Sequence, residues 1–268
     1  MPVIALPNIR LHVQELNPGG RETIILVHGM FSNLAVYYFN IAPILARQYH
    51  VVLYDMKGHG MSEKAVQGYG LTAMTDDLTA LMDSLGIEKA HLAGYSYGGL
   101  VALKMATRFP ERINKLAVIE GPDPSDQETL AIIDTYSKEF LIHYIDNFAD
   151  TTRMKAGRRQ LEKNHRMYEF LFKETSIRSD MEAEKDFFRD DSISQISSDT
   201  LLIYGQNSNC VPSGRILASK IENSELLLVT GDHNVPVQQP EIIGNELYRF
   251  FYKSRELDFY ETNLLINS

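Results

Sequence analysis

The chain has 268 residues, 44% hydrophobic and 23% charged, a globular composition with room for one large core or two modest domains. With 26 Lys and Arg against 35 Asp and Glu the formal charge is −9, which repels phosphate backbones and anionic lipid and argues against nucleic-acid or membrane-surface work. The one cysteine, Cys210, leaves no internal disulfide and predicts a cytoplasmic protein, while neither a membrane span nor, in Met1 to Arg10, a secretory signal is legible.

Short apolar, β-branched runs recur, each closed by a turn signal and mostly followed by helical periodicity. Thr23–Val27 reads as a strand running into His28-Gly29-Met30-Phe31, with a helix over Val36–Gln48. His50–Tyr54 runs into Asp55-Met56-Lys57-Gly58-His59-Gly60-Met61-Ser62, with a helix over Leu71–Leu85. Ala90–Gly94 leads through Gly94-Tyr95-Ser96-Tyr97-Gly98-Gly99 into a helix over Tyr97–Phe109, and Lys115–Ile119 ends at Glu120-Gly121-Pro122. Thr200–Tyr204 and Glu225–Val229 complete the strands, with helices over Ser213–Ile221 and Gln238–Tyr252. Strands alternating with helices predict an α/β fold, a mostly parallel sheet covered on both faces, with its ligand site at the carboxyl ends of the strands. From residue 122 to 198 no strand is legible, so this interval is expected to be a helical cap inserted into a core formed by residues 1–121 and 199–268.

A serine hydroxyl attacks only when it projects from a sharp turn with its neighbours out of the way. Gly94 and Gly98 flank Ser96 between a strand and a helix, so Ser96 is the candidate nucleophile, and the helix start places the Tyr97 amide beside a developing oxyanion. Met30 stands where a second backbone donor is needed, with His28 bracing its loop. A general base must reach the serine from a loop at the same sheet end, and His233, between the last strand and last helix, combines that position with a Gly-containing strand exit. Asp55 and His59 read as structural groups of their turn. No Gly-x-x-x-x-Gly-Lys loop, Cys-x-x-Cys pair or His-Glu-x-x-His helix is present, so no cofactor or metal is expected.

In chain order, the His-Gly loop, the Asp-x-Lys-Gly-His-Gly-x-Ser turn, the Gly-x-Ser-x-Gly-Gly turn and the Gly-Asp-His-Asn ending resemble the α/β-hydrolase superfamily, most closely its small bacterial esterases and thioesterases. The resemblance covers residues 8–120 and 199–252 and implies a nucleophile at Ser96, a base at His233 and oxyanion donors at Met30 and Tyr97. One departure concerns the third triad member. The commonest family pattern carries an Asp after the strand Thr200–Tyr204, where this chain has Ser208 in Gly205-Gln206-Asn207-Ser208-Asn209-Cys210-Val211-Pro212. Some branches, including small bacterial esterases and lactonases, place the acid after the strand preceding the cap, which here is Glu120. Glu120 is therefore expected to be the acid, with Ser208 in support and Asp123 and Asp232 as weaker candidates.

The resemblance implies hydrolysis of a carboxylic ester or acyl thioester through an acyl-enzyme. A cofactor-independent dioxygenase and a hydrolase-like ligand receptor of the same fold are the alternatives. Within the expected cap, Arg153, Lys155, Arg158, Arg159, Lys163 and Arg166 form a basic stretch against an acidic background. Its plain reading is a solvated helix face; its sharper one is a dock for an acyl carrier or coenzyme A.

Overall fold

The computed structural model describes residues 2–127, 131, 133 and 154–252. Its strands are β1 (Val3–Ala5), β2 (Arg10–Leu16), β3 (Thr23–Val27), β4 (His50–Tyr54), β5 (Ala90–Tyr95), β6 (Ile113–Ile119), β7 (Asp199–Gly205) and β8 (Ser224–Val229). They form one sheet in the order β1-β2-β4-β3-β5-β6-β7-β8. Every pairing is parallel except those of β2 with β1 and β4.

The described helices are α1 (Ala35–Tyr38), α2 (Ala42–Leu45), α3 (Leu71–Ser84), α4 (Tyr97–Arg108), α5 (Met154–Glu174), α6 (Ile177–Ala183), α7 (Val211–Lys220), α8 (Val235–Gln238) and α9 (Pro240–Tyr252). The period of two along the strands divides the core. On β3, Ile25 and Val27 join the cluster containing α3, α4 and α7 residues, while Ile24 and Leu26 join that of α1, α2 and α9. Both faces of the parallel sheet are thereby covered, as the alternation predicts.

Three elements differ from the sequence reading. β1 and β2 were not legible: β1 is three residues long, and β2 carries His12, Gln14 and Glu15 where an apolar run would mark a strand. The helix expected over Val36–Gln48 is two short helices, because Pro43 in the first turn of α2 has no N–H to continue the ladder from α1.

Among the described residues between β6 and β7 there are helices and 3₁₀ turns and no strand. This segment is tied to the start of α3, whose N-cap, Gly70, has no side chain to satisfy the first amides. The Glu184 carboxylate does so instead, accepting from the Leu71 and Thr72 amides and from the Thr72 hydroxyl. Asp180 of α6 accepts from the Tyr69 amide at 2.8 Å, and the Ser176 amide donates to the Val66 carbonyl at 2.9 Å. Glu184→Ala should therefore lower stability by about 1–2 kcal/mol. The measurement is the urea midpoint at unchanged slope, and an unmoved midpoint would show that water replaces the carboxylate.

Candidate active site

Four neighbouring strands deliver the site from their carboxyl ends: β5 brings Ser96, β6 Glu120, β7 Ser208 and Cys210, and β8 His233. Ser96 sits between β5 and α4 at φ 53°, ψ −119°, a backbone conformation that costs a non-glycine residue about 1–3 kcal/mol. Its amide donates to the Ile119 carbonyl at 2.8 Å, pinning the turn to β6. The flanking glycines allow the close packing: a Cβ on Gly98 would lie 2.4 Å from the carbonyl oxygens of Val27 and His28, and one on Gly94 2.1 Å from that of Gly98.

His233 Nε2 lies 3.0 Å from Ser96 Oγ, and its Nδ1 lies 3.2 Å from Glu120 Oε2. Glu120 is fully buried at φ 56°, and its amide donates to the Ile203 carbonyl at 2.9 Å. One carboxylate oxygen accepts from the Gly205 amide and the other from Ser208 Oγ at 2.5 Å. These donors, together with the imidazole, offset the cost of burying the charge. Ser208 and His233 thus share one carboxylate oxygen of Glu120, and the Ser208 hydroxyl also accepts from the Cys210 amide at 3.0 Å.

The weaker acid candidates are engaged elsewhere. Asp123 accepts from the amide and hydroxyl of Ser125, both at 2.8 Å, and Asp232 accepts from the Asn234 amide at 2.8 Å. Asp55 accepts from the Leu34 and Met61 amides and bonds His12 Nδ1, all at 2.8 Å, which makes it a brace for its turn. His59 is buried, its Nδ1 donates to the Lys57 carbonyl at 2.9 Å, and burial pulls its pKa down to about 3. It is a neutral structural group.

His28 accepts from the Met56 amide at Nε2 (3.0 Å), so Nδ1 carries the proton and donates to the Gly29 carbonyl at 2.7 Å. In a trans peptide the amide N–H points opposite to the carbonyl, so holding the Gly29 oxygen turns the Met30 N–H the other way. Burial lowers the His28 pKa and keeps the ring in this neutral form. Tyr97 opens α4, and its hydroxyl donates to the Tyr69 carbonyl in the loop held by Asp180. The helix segment between β6 and β7 is thereby linked to the residue beside Ser96.

Cys210 was missed as a site residue by the sequence reading, which used it only to judge disulfides. Its sulfur is buried and lies 3.5 Å from His233 Nδ1. The Tyr95 hydroxyl, on the other side of the loop, donates to the His233 carbonyl at 2.9 Å. Burial of the ring opposes its charged form, but the hydrogen bonds to Cys210 and Glu120 outweigh burial and push the His233 pKa up to about 9. An imidazolium cannot accept the Ser96 proton, so kcat/KM should rise about tenfold per pH unit below that value and level off above it. A pH profile that is already flat at neutrality would contradict this environment.

Ser96 and His233 open into a cleft lined by Met30, Phe31, Leu71, Leu100, Ile133 and Met181 among others. Among the described residues lining it, Glu184 and His233 are the ionisable side chains besides the tyrosines, and there is no Lys or Arg. Of the basic stretch, Lys163 and Arg166 are exposed on α5; the side chains of Arg153, Lys155, Arg158 and Arg159 lie outside the described residues. No described helix is long and apolar enough to cross a membrane.

The chain is 28% identical over 244 residues to a Caulobacter sp. (strain K31) protein named as a carbamate hydrolase, covering 86% of this chain and 90% of that one. Its fold is that of the enol-lactonase from Burkholderia xenovorans LB400, with a TM-score of 0.73, 20% identity, and 94% and 100% of the two chains covered. The meta-cleavage product hydrolase from Pseudomonas fluorescens IP01 aligns with a TM-score of 0.73, 20% identity, and 94% and 97% coverage. The family model described as the alpha/beta hydrolase fold matches residues 22–166. With that match over more than half its length, an eight-stranded, mostly parallel sheet and relatives named as hydrolases, the chain belongs to the alpha/beta hydrolase fold family.

Proposed function

We propose that this hydrolase cleaves carboxylic esters, lactones included, or acyl thioesters, through an acyl-enzyme on Ser96. The observation that carries the reading is the continuous relay from Ser96 Oγ to His233 Nε2 at 3.0 Å and from His233 Nδ1 to Glu120 Oε2 at 3.2 Å. As Ser96 Oγ adds to the carbonyl carbon, His233 takes the hydroxyl proton and the carbonyl π pair moves onto oxygen. That oxyanion faces the Met30 and Tyr97 amides, and Glu120 stabilises the imidazolium. Collapse expels the alcohol or thiol, which leaves with the proton from His233. Water then attacks the acyl-enzyme by the same steps, regenerating Ser96.

The cleft supports a neutral, apolar acyl group, because its lining is largely aliphatic and aromatic and its cations are absent among the described residues. A neutral aliphatic ester should exceed, by at least about tenfold in kcat/KM, the same ester ending in a carboxylate, whose charge would be buried unpaired beside Glu184. Equal turnover of the two would place the acyl chain outside this cleft. The relative named as a carbamate hydrolase favours a second substrate class, since a carbamate carbonyl would follow the same addition and collapse.

The test is turnover of p-nitrophenyl butyrate, with labelling by a fluorophosphonate probe mapped by peptide mass spectrometry. Multiple turnovers and a label on Ser96 are expected. Oxygen uptake without ester turnover would overturn the reading in favour of a dioxygenase, and a single turnover with the acyl group retained would do so in favour of a receptor.

A further inference from the structure

Cys210 Sγ, His233 Nδ1 and a Glu120 carboxylate oxygen lie within 4.8 Å of one another. The sulfur is 3.5 Å and the carboxylate oxygen 3.2 Å from the imidazole nitrogen. At zinc bond lengths of about 2.3 Å to sulfur and about 2.0–2.2 Å to nitrogen and oxygen, adjacent donors of a tetrahedral site stand roughly 3.3–3.6 Å apart. The two pairs that involve His233 therefore already have nearly the edge lengths of such a site. The donors come from three different strand ends, and Glu120 is held in place by the Gly205 amide and Ser208. A thiolate, an imidazole and a carboxylate together suit Zn²⁺ or Cd²⁺ and disfavour Mg²⁺ and Ca²⁺.

We propose that Cys210, His233 and Glu120 form an inhibitory Zn²⁺ site on the inner side of the histidine, which switches the hydrolase off by exchanging the imidazole's tautomer. In the working state Nδ1 carries a proton toward Glu120 and Nε2 offers its lone pair to Ser96. Zn²⁺ takes the Nδ1 lone pair, so the ring proton moves to Nε2. The Cys210 thiol loses its proton to solvent on binding the metal, and the Glu120 carboxylate supplies the third ligand. One proton leaves per ion bound to the neutral ring, and a second leaves where the ring is an imidazolium, its form below a pKa of about 9. Nε2 then donates toward Ser96, and the serine proton has no acceptor. Cys210 and Glu120 are buried, whereas the His233 side chain is 24% exposed, so the imidazole is the ligand nearest solvent. The inhibition, though not the binding, rests on the proposed roles of Ser96 and His233.

The full-length protein is titrated anaerobically with Co²⁺, following the thiolate-to-metal charge-transfer absorption, and then with Zn²⁺ as competitor. Because the chain has one cysteine, any such band reports Cys210. The expected result is a band saturating at one equivalent, displaced by Zn²⁺, and weakened at least about tenfold in affinity by His233→Ala or Glu120→Gln. Ester turnover should fall in step with Zn²⁺ occupancy and return on chelation, while Cys210→Ser should need at least about tenfold more Zn²⁺ for half-inhibition relative to its own metal-free rate. No saturating band, a band unchanged in His233→Ala, or Zn²⁺ inhibition unchanged in Cys210→Ser would overturn the site. A preparation that binds Co²⁺ as described but hydrolyses no ester would keep the metal site and refute the proposed esterase chemistry instead.

Discussion

Ser96→Ala should lower ester turnover by at least about a thousandfold while leaving the fold intact, because it deletes the atom that carries the acyl group in the proposed mechanism. The mutation removes one oxygen at the mouth of the cleft, and the backbone bond from residue 96 to the Ile119 carbonyl does not depend on the side chain. Alanine at φ 53° is strained as serine is, so the turn neither gains nor loses much. What remains is the oxyanion donors and the binding cleft, which alone accelerate attack by water only weakly. Turnover and the thermal midpoint measured on one preparation decide the matter. A folded variant with near-wild-type turnover would remove Ser96 from the mechanism.

Glu120→Gln should lower kcat by about two to four orders of magnitude. The carboxylate receives the Gly205 amide, the Ser208 hydroxyl and His233 Nδ1 across its two oxygens. Glutamine has one oxygen and one NH₂ group, so one of these donors must face another donor in a fully buried place. The variant should therefore lose about 1–3 kcal/mol of stability as well as the charge that stabilises imidazolium. It should also shift the rising limb of the pH profile to lower pH, since the partner that holds the His233 proton is weakened. Ser208→Ala removes a bond to the carboxylate and none to the imidazole, so turnover should fall only about tenfold. Should Ser208→Ala abolish activity while Glu120→Gln retains it, the acid assignment fails. The pairing of a kinetic and a stability readout separates loss of the anion from loss of the fold.

The local features of the site were legible because each is a short-range pattern. The run Ala90–Gly94 followed by Gly94-x-Ser96-x-Gly98 marks a strand, a tight turn and a helix start within a dozen residues. Likewise, the inner parallel strands β3 to β7 announce themselves as apolar runs because both of their faces are buried, while β8, at the sheet edge, is apolar but only partly buried. β2 escaped notice because it pairs antiparallel near the sheet edge and carries His12, whose polarity is satisfied by Asp55, 43 residues away. The roles of Asp123 and Asp232 could only be guessed from sequence, since both are aspartates near a turn; their hydrogen bonds to Ser125 and Asn234 show that each serves its own loop.

Sequence by itself determined the alternation of strands and helices, the Ser96 turn and the glycine-flanked histidine loop, because backbone sterics and side-chain periodicity act between residues close in the chain. Tertiary structure decided which groups meet. Ser96 and His233 are 137 positions apart, His233 and Glu120 113, and Ser208 and Glu120 88, and these contacts exist because β5, β6, β7 and β8 lie side by side. The same strand order sets the lone thiol of Cys210 against the imidazole, a contact that no local pattern encodes because it depends on two loops from neighbouring strands converging.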